Sequence, residues 1–405
     1  MKEMINLDTF IKEKIVGHND SLFLNDIKHN WKEITQKLFG KTVLVIGGAG
    51  SIGSSYIKAI LPFKPKALVV VDINENALAE LTRDLRSTKG MFIPDDYVPY
   101  PMDFASPVFR KMFISRGGFD IVANFSAHKH VRSEKDIYSV EALLRNNVLN
   151  AKLLLDLLEQ YPPEEYFCVS TDKAANPVNI MGASKRIMED LIFAYSDKFP
   201  VKTARFANVA FSNGSLPAGF LARIQKLQPL SAPTDTKRYF VSPEESGQIC
   251  MLACLLGNNR EIFFPKLEEV QMMTFDSIAT DLLHEYGYEV LECRSDEEAI
   301  EKADDLKNGS KRYPVHYSAS NTSGEKSFEE FYTDTEAVDM DRFSALGVIT
   351  DKPIPSRKKI QQLFEKLTAV FDNNDTTKEE VVEIIKEYLP NFEHIEKCRS
   401  LDSKM

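Results

Sequence analysis

Short apolar runs alternate along this chain with segments of helical period. Thr42-Val43-Leu44-Val45-Ile46 is continuous, apolar and β-branched, as a strand buried on both faces requires. Similar runs follow at Ala67 to Val71, Asp120 to Phe125, Glu165 to Val169 and Val201 to Phe206, and helix-period stretches such as Ser54 to Leu61 and Ser139 to Glu159 lie between them. Strands and helices in alternation predict an α/β fold, a doubly wound parallel sheet with ligands beyond the carboxyl ends of its strands. Ahead of the first strand, Leu7, Phe10, Ile11 and Ile15, then Ile27, Trp31, Ile34 and Leu38, predict two short amphipathic helices divided near Gly17-His18-Asn19-Asp20. These pack either on the main domain or on a second subunit.

Beyond residue 266 the pattern predicts a strand and helix within Glu268 to Tyr288, a charged helix from Ser295 to Asn308 and a strand at Tyr313 to Tyr317 with a loop, Ser320 to Lys326, near it. Two amphipathic helices, Lys358 to Phe371 and Thr377 to Leu389, close the chain, and nothing in them carries chemistry. The expected division is a helical N-terminal extension (1–39), a cofactor-binding domain holding the catalytic residues (40–210), a smaller substrate-binding α/β portion (211–355) and a helical C-terminal extension (356–405).

Composition narrows the classes. A net charge of -10 argues against nucleic-acid binding, which needs a basic face. Five cysteines without paired spacing predict reduced thiols, and Cys250 and Cys254, one helical turn apart among apolar neighbours, read as core. His128 and His130 flank Lys129 without a third ligand, so no metal is expected. The start Met1-Lys2-Glu3-Met4 lacks the apolar stretch of a signal peptide, and no run approaches the roughly 18 apolar residues of a membrane span. A soluble, cytoplasmic protein without a membrane partner is the expectation.

The candidate chemistry lies at strand ends. The first strand runs into Gly47-Gly48-Ala49-Gly50-Ser51-Ile52-Gly53, and the spacing of Gly47, Gly50 and Gly53 serves a tight turn, close approach to a pyrophosphate and close helix packing. Asp72 at the tip of the second strand would accept hydrogen bonds from a ribose and repel a 2′-phosphate, which favours NAD over NADP. Asp103 either meets the adenine amino group or caps a helix. Ser126 and Ala127 leave room for a cofactor at the end of the fourth strand, and Lys129 follows as a substrate-binding candidate. Asn147 either supports the site or lies on an exposed helix face. The fifth strand delivers Thr171-Asp172-Lys173. Such an Asp-Lys pair is ordinarily a surface ion pair, but its place beyond a cofactor-binding sheet makes it an acid/base candidate. Asn208 and the Ser212-Asn213-Gly214-Ser215 turn would offer amides to a diphosphate at a helix start, with Arg238 pairing with phosphate.

The glycine loop, Ala127-His128-Lys129-His130-Val131, Ser170-Thr171-Asp172-Lys173-Ala174-Ala175-Asn176-Pro177, Met181-Gly182-Ala183-Ser184-Lys185-Arg186 and Arg205-Phe206-Ala207-Asn208-Val209 together resemble the extended short-chain dehydrogenase/reductases. Within these, the polysaccharide-biosynthesis branch of UDP-N-acetylglucosamine 4,6-dehydratases is the most similar. The resemblance covers about residues 40 to 265. It implies a Rossmann-like domain, bound NAD, a UDP-sugar substrate and a homo-oligomer pairing through the helices that carry Asn146 and Lys185. It also implies that Asp172 protonates the leaving hydroxyl, Lys173 removes the carbon 5 proton, Thr171 bonds the 4-hydroxyl and Lys185 holds the nicotinamide ribose. Met181 departs from the tyrosine of most members, as in a retaining subgroup of the dehydratases. An inverting dehydratase or epimerase of the same fold, or an inactive NAD-binding regulator or scaffold, are the alternatives.

Overall fold

The computed structural model describes residues 5–130, 134–319 and 330–395. Ser320 to Lys326 and Val131 lie outside the described residues. Five predicted segments form strands, β1 (Thr42–Ile46), β2 (Ala67–Asp72), β4 (Ile121–Asn124), β5 (Glu165–Val169) and β6 (Val201–Ala204), and Asp96–Pro101 adds β3. They stand in the order β3-β2-β1-β4-β5-β6, all parallel. Glu261–Pro265 extends this series in parallel beside β6, and Leu346–Thr350 and Ala337–Asp339 then add antiparallel pairs, giving nine strands. Val43, Leu44 and Val45 of β1 and Leu68, Val69 and Val70 of β2 are fully buried, which explains why neither strand alternates polar and apolar residues. The order reverses between β1 and β4, so the crevice beyond their carboxyl ends is the switch point at which such sheets take ligands.

Three expectations are corrected. The division at residue 210 does not hold for the sheet, because Glu261–Pro265, Ala337–Asp339 and Leu346–Thr350 come from the portion assigned to substrate binding. A strand at Glu289–Cys293, absent from the sequence reading, pairs in parallel with Arg312–Ser318, and the charged helix is two, Asp296–Lys302 and Asp304–Lys307. The N-terminal extension is not one unit. Phe10, Ile11 and Ile15 join a second core with Phe220, Leu282 and Val315, whereas Ile27, Ile34 and Leu38 join the core of the main sheet. Gly17 turns the chain between them with φ +74, a left-handed angle that suits glycine. Trp31 stays half exposed and lies against Phe63, with ring centroids 4.5 Å apart.

Main-sheet helices and the second portion are tightly joined behind the glycine loop. Helix Pro243–Leu256 lies against helix Ser51–Ile60 so closely that a Cβ on Gly247 would stand 2.2 Å from the carbonyl oxygen of Ser55. At the other flank, the C-terminal helices Arg357–Phe371 and Lys378–Tyr388 lie on the outer side of the helices that carry Asn146 and Lys185. Arg145 stands 5.5 Å from the Phe371 ring, Lys152 stands 5.9 Å from the Phe364 ring, and Tyr388 bonds Asp190. The chain thus covers with its own helices part of the surface that the resemblance assigned to a second subunit.

Candidate active site

The glycine loop is defined by atoms it lacks. Gly47 has φ +70, and a Cβ there would stand 2.6 Å from the Ser126 amide nitrogen at the end of β4. A Cβ on Gly53 would stand 2.4 Å from the Gly47 carbonyl oxygen. Gly50 is the N-cap of helix Ser51–Ile60 and offers no side-chain oxygen, so the first helical amides face the crevice without a side-chain cap. Asp72 accepts from Ala49 N at 3.1 Å and from Asn74 N at 2.9 Å, which ties the tip of β2 to the loop. The residues fit a dinucleotide, since the backbone approach, the uncapped helix start and the carboxylate at the second strand are all in place. Ser51 Oγ accepts from Asn213 N at 2.8 Å, joining this loop to the Ser212–Ser215 turn. Ile52 packs from the same turn against the main core.

Asp103 is exposed and accepts from Ala105 N at 2.8 Å. It is not a helix N-cap; Ser106 holds that place for Pro107–Ser115 and accepts from Phe109 N. Ser126 donates its N–H to Asn124 Oδ1 and its hydroxyl to Asn146 Oδ1, with half-buried Ala127 beside it.

The helix beyond them carries a π-turn, Arg145–Leu149, between Ile137–Leu144 and Asn150–Gln160. This bulge turns Asn147 inward. Asn147 is 3% exposed, and its amide donates to His128 O and to Ser184 Oγ and accepts from His128 N and from the Asn146 amide. The exposed-face reading is corrected, and so is a direct substrate contact, because protein partners take up both donors and both lone pairs and leave none for substrate. It fastens the His128 loop to Ser184, whose hydroxyl donates to Met181 O at 2.7 Å.

Thr171, Asp172 and Lys173 follow β5 directly, with a single 3-10 turn at Asp172–Ala174. Thr171 Oγ1 donates to Asp172 Oδ1 at 2.6 Å, and Lys173 Nζ donates to Asp172 Oδ2 at 3.1 Å. A hydroxyl and an ammonium are therefore chained through one carboxylate. Asp172 is 6% exposed while the Lys173 side chain keeps 26%, so the pair is no fully solvated surface ion pair and the amine still meets solvent. Met181 is buried in the first turn of helix Ile180–Phe193, next to this loop: a Cβ on Gly182 would stand 2.7 Å from Lys173 O. Lys185 lies deeper. Its ammonium donates to Val169 O at 2.8 Å and contacts Met188 Sδ, and desolvation lowers its pKa against the pull of the Cys168 thiol and Glu189.

In the loop that follows β4, His128 and Lys129 are exposed, yet the surrounding protein removes enough hydration to lower both pKa values. His130 faces the turn at Gly214, where φ is +75 and a Cβ would stand 2.9 Å from its Nε2. Ser215 is the N-cap of Leu216–Lys226, its Oγ accepting from Ala218 N. Asn208 donates its N–H to Tyr239 O within a short parallel pair. Arg238 is 5% exposed and donates to Lys237 O, on a strand paired with Met273–Thr274.

A buried charge network under the catalytic loop escaped the sequence reading. Arg205 follows β6 with no exposed surface; it forks onto Glu189 at 2.9 and 2.8 Å and onto Glu336 at 2.8 and 3.0 Å. Ser170, immediately before Thr171, donates to Glu189 Oε1 at 2.7 Å, and Lys352 donates to Glu336 at 2.6 Å. Burial pushes the Glu336 carboxyl up, but the hydrogen bonds and charge of Arg205, with Lys352, hold it down at about 2. The signal was present: an arginine directly after a buried strand requires buried acids.

The polysaccharide biosynthesis protein family matches residues 43–350, more than half of the 405-residue chain, and the chain belongs to that family. A protein of Methanocaldococcus jannaschii described as an uncharacterized membrane protein is 31% identical over 88% of this chain and 98% of its own length. Among the described residues here, no helix is long and apolar enough to cross a membrane. The probable polysaccharide biosynthesis protein EpsC of Bacillus subtilis is 30% identical over 67% of this chain, which spans only 45% of that relative's length. A UDP-N-acetylglucosamine 4,6-dehydratase (inverting) of Campylobacter jejuni is 24% identical over 85% of this chain and 97% of its own. Among solved structures, Pen from Bacillus thuringiensis superposes with a TM-score of 0.62 at 18% identity, over 82% of this chain and 98% of that one, which establishes the fold.

Proposed function

We propose that this member of the polysaccharide biosynthesis protein family is an NAD-dependent sugar-nucleotide 4,6-dehydratase, acting on UDP-N-acetylglucosamine and retaining the configuration at carbon 5. The observation that carries the reading is the hydrogen-bonded series Thr171–Asp172–Lys173 at the end of β5, beside a methionine that transfers no proton. The uncapped helix start, Gly47, Gly53 and Asp72 would hold NAD, which supplies the reversible hydride acceptor when bound. Elimination of water across carbons 5 and 6 needs a base for the carbon 5 proton and an acid for the departing hydroxyl. Lys173 is the base and Asp172 the acid: Asp172 gives the departing hydroxyl the proton it receives from the 4-hydroxyl, and Lys173, 3.1 Å from that carboxylate, returns the carbon 5 proton to carbon 5 as carbon 6 is reduced, so both end the cycle in their starting states. Thr171 binds the 4-hydroxyl and passes its proton to the same carboxylate, a path that replaces the missing phenol of Met181. Lys129, Arg238 and Ser215 are the residues through which the nucleotide half is held, with Asn208 behind them.

Relatives named inverting 4,6-dehydratases support the substrate class. Retention rests on Met181. Relatives named UDP-glucose 4-epimerases make epimerisation the second reading, favoured by 27% identity over 66% of this chain for the protein of Rickettsia conorii. Incubation with UDP-N-acetylglucosamine separates the two: loss of one water from the sugar nucleotide, with carbon 5 unchanged by NMR couplings, is expected. A product of unchanged mass would instead establish the epimerase.

A further inference from the structure

Helix Ile180–Phe193 starts at the site, and its first three amides are all taken up. Asn179 Oδ1 accepts from Gly182 N at 2.7 Å, and Glu134 Oε2 and Oε1 accept from Ile180 N at 3.0 Å and Met181 N at 2.8 Å. Glu134 is 7% exposed and far from the helix in sequence. A carboxylate at a helix start is favoured by the macrodipole, and two charge-assisted bonds fix its geometry. The turn so held backs directly on the catalytic loop, because Gly182 leaves no room beyond the Lys173 carbonyl oxygen.

The other side of Glu134 is gripped by the C-terminal extension. Lys378, in the first turn of the last helix, donates to Glu134 O at 2.8 Å. His394 Nε2 stands 3.8 Å from Glu134 Oε2, and Ile395 N donates to Val178 O at 3.1 Å, just before the helix. Val381, Val382, Ile385 and Phe392 anchor that extension in the main core.

We propose that Glu134 is a positioning residue for the reaction and that the C-terminal extension acts on the site through it. This rests on the dehydratase reading for its effect on turnover, but not for its effect on the helix. The extension fixes Glu134, Glu134 fixes the amides of Ile180 and Met181, and that turn fixes the backbone of Lys173 through Gly182. A shift of this turn misplaces Lys173 against the carbon 5 proton while leaving the NAD cradle and the nucleotide wall unchanged.

The test compares Glu134→Gln, Lys378→Met and Lys378→Arg in the full chain. Expected is a kcat lower by roughly 10- to 100-fold in the first two, with KM and bound NAD unchanged, and recovery in Lys378→Arg. Hydrogen exchange at Ile180 and Met181 should speed up roughly tenfold or more in the first two variants, as loss of a charge-assisted bond requires. Unchanged exchange at both amides in Lys378→Met and Glu134→Gln overturns the proposal. So does a loss of activity that merely follows the unfolded fraction. If the wild-type chain dehydrates no sugar nucleotide, the functional reading fails by itself and the exchange measurement still decides whether Glu134 positions the helix.

Discussion

The glycine loop and the catalytic loop stand at the ends of β1 and β5, on either side of β4, and are built by opposite means. The loop after β1 works through missing atoms: Gly47 lets the loop approach the Ser126 backbone, and Gly53 lets the helix approach the Gly47 carbonyl. The loop after β5 is supported through added charge, with Ser170, Glu189, Arg205, Glu336 and Lys352 joined beneath it from distant parts of the chain. The first region therefore tolerates no addition, and the second tolerates no subtraction.

The sharpest subtraction is Lys173→Ala, expected to lower dehydration by about 10³-fold or more, since the base and the partner of Asp172 go together. Near-normal release of water in that variant would remove the catalytic assignment. Next, Arg205→Met takes the cation from buried Glu189 and leaves Glu336 with Lys352 alone, and a loss of about 3–5 kcal/mol is expected in denaturant unfolding. Partial recovery on adding Glu189→Gln and Glu336→Gln would show that the cost lies in the orphaned charges. An addition in the other region, Gly47→Ala, strains a left-handed backbone and meets a main-chain nitrogen at 2.6 Å. Weaker NAD retention, by roughly tenfold or more, is expected from equilibrium dialysis.

Acid gives a milder separation. The Glu336 carboxyl, depressed from its ordinary 4.5 to about 2, contributes stability that is complete above about 4.5 and lost as pH falls toward 2. Urea midpoints should fall across that window, less steeply in Glu336→Gln, and equal slopes would place the acid sensitivity elsewhere. The smallest effect belongs to Met181→Leu, a swap of similar volume that leaves turnover within about threefold. A large loss there would give the thioether a role that the proton path through Thr171 does not foresee.

The same contrast explains what could be read in advance. Strands β1, β2, β4 and β5, the glycine loop and the Thr171–Asp172–Lys173 series are local patterns, and the chain alone displays them. Asn147 was ambiguous because a π-turn, which periodicity does not register, sets its direction. Glu134, Glu189 and Glu336 had no local mark, since their meaning lies in partners brought near only by the fold. The split of the N-terminal extension between two cores was hidden for the same reason, as an amphipathic stripe shows that a face is buried but not against what.

The sheet also has to stop somewhere. At one margin β3 carries Pro99 and Pro101, residues that have no N–H to offer an incoming strand, and at the other Ala337–Asp339 is three residues long. A broad, mostly parallel sheet with an apolar interior is a natural template for self-association if its margins stay open. Here both margins are blunted by the chain itself, so neither edge offers the long open ladder on which strands of other copies would add.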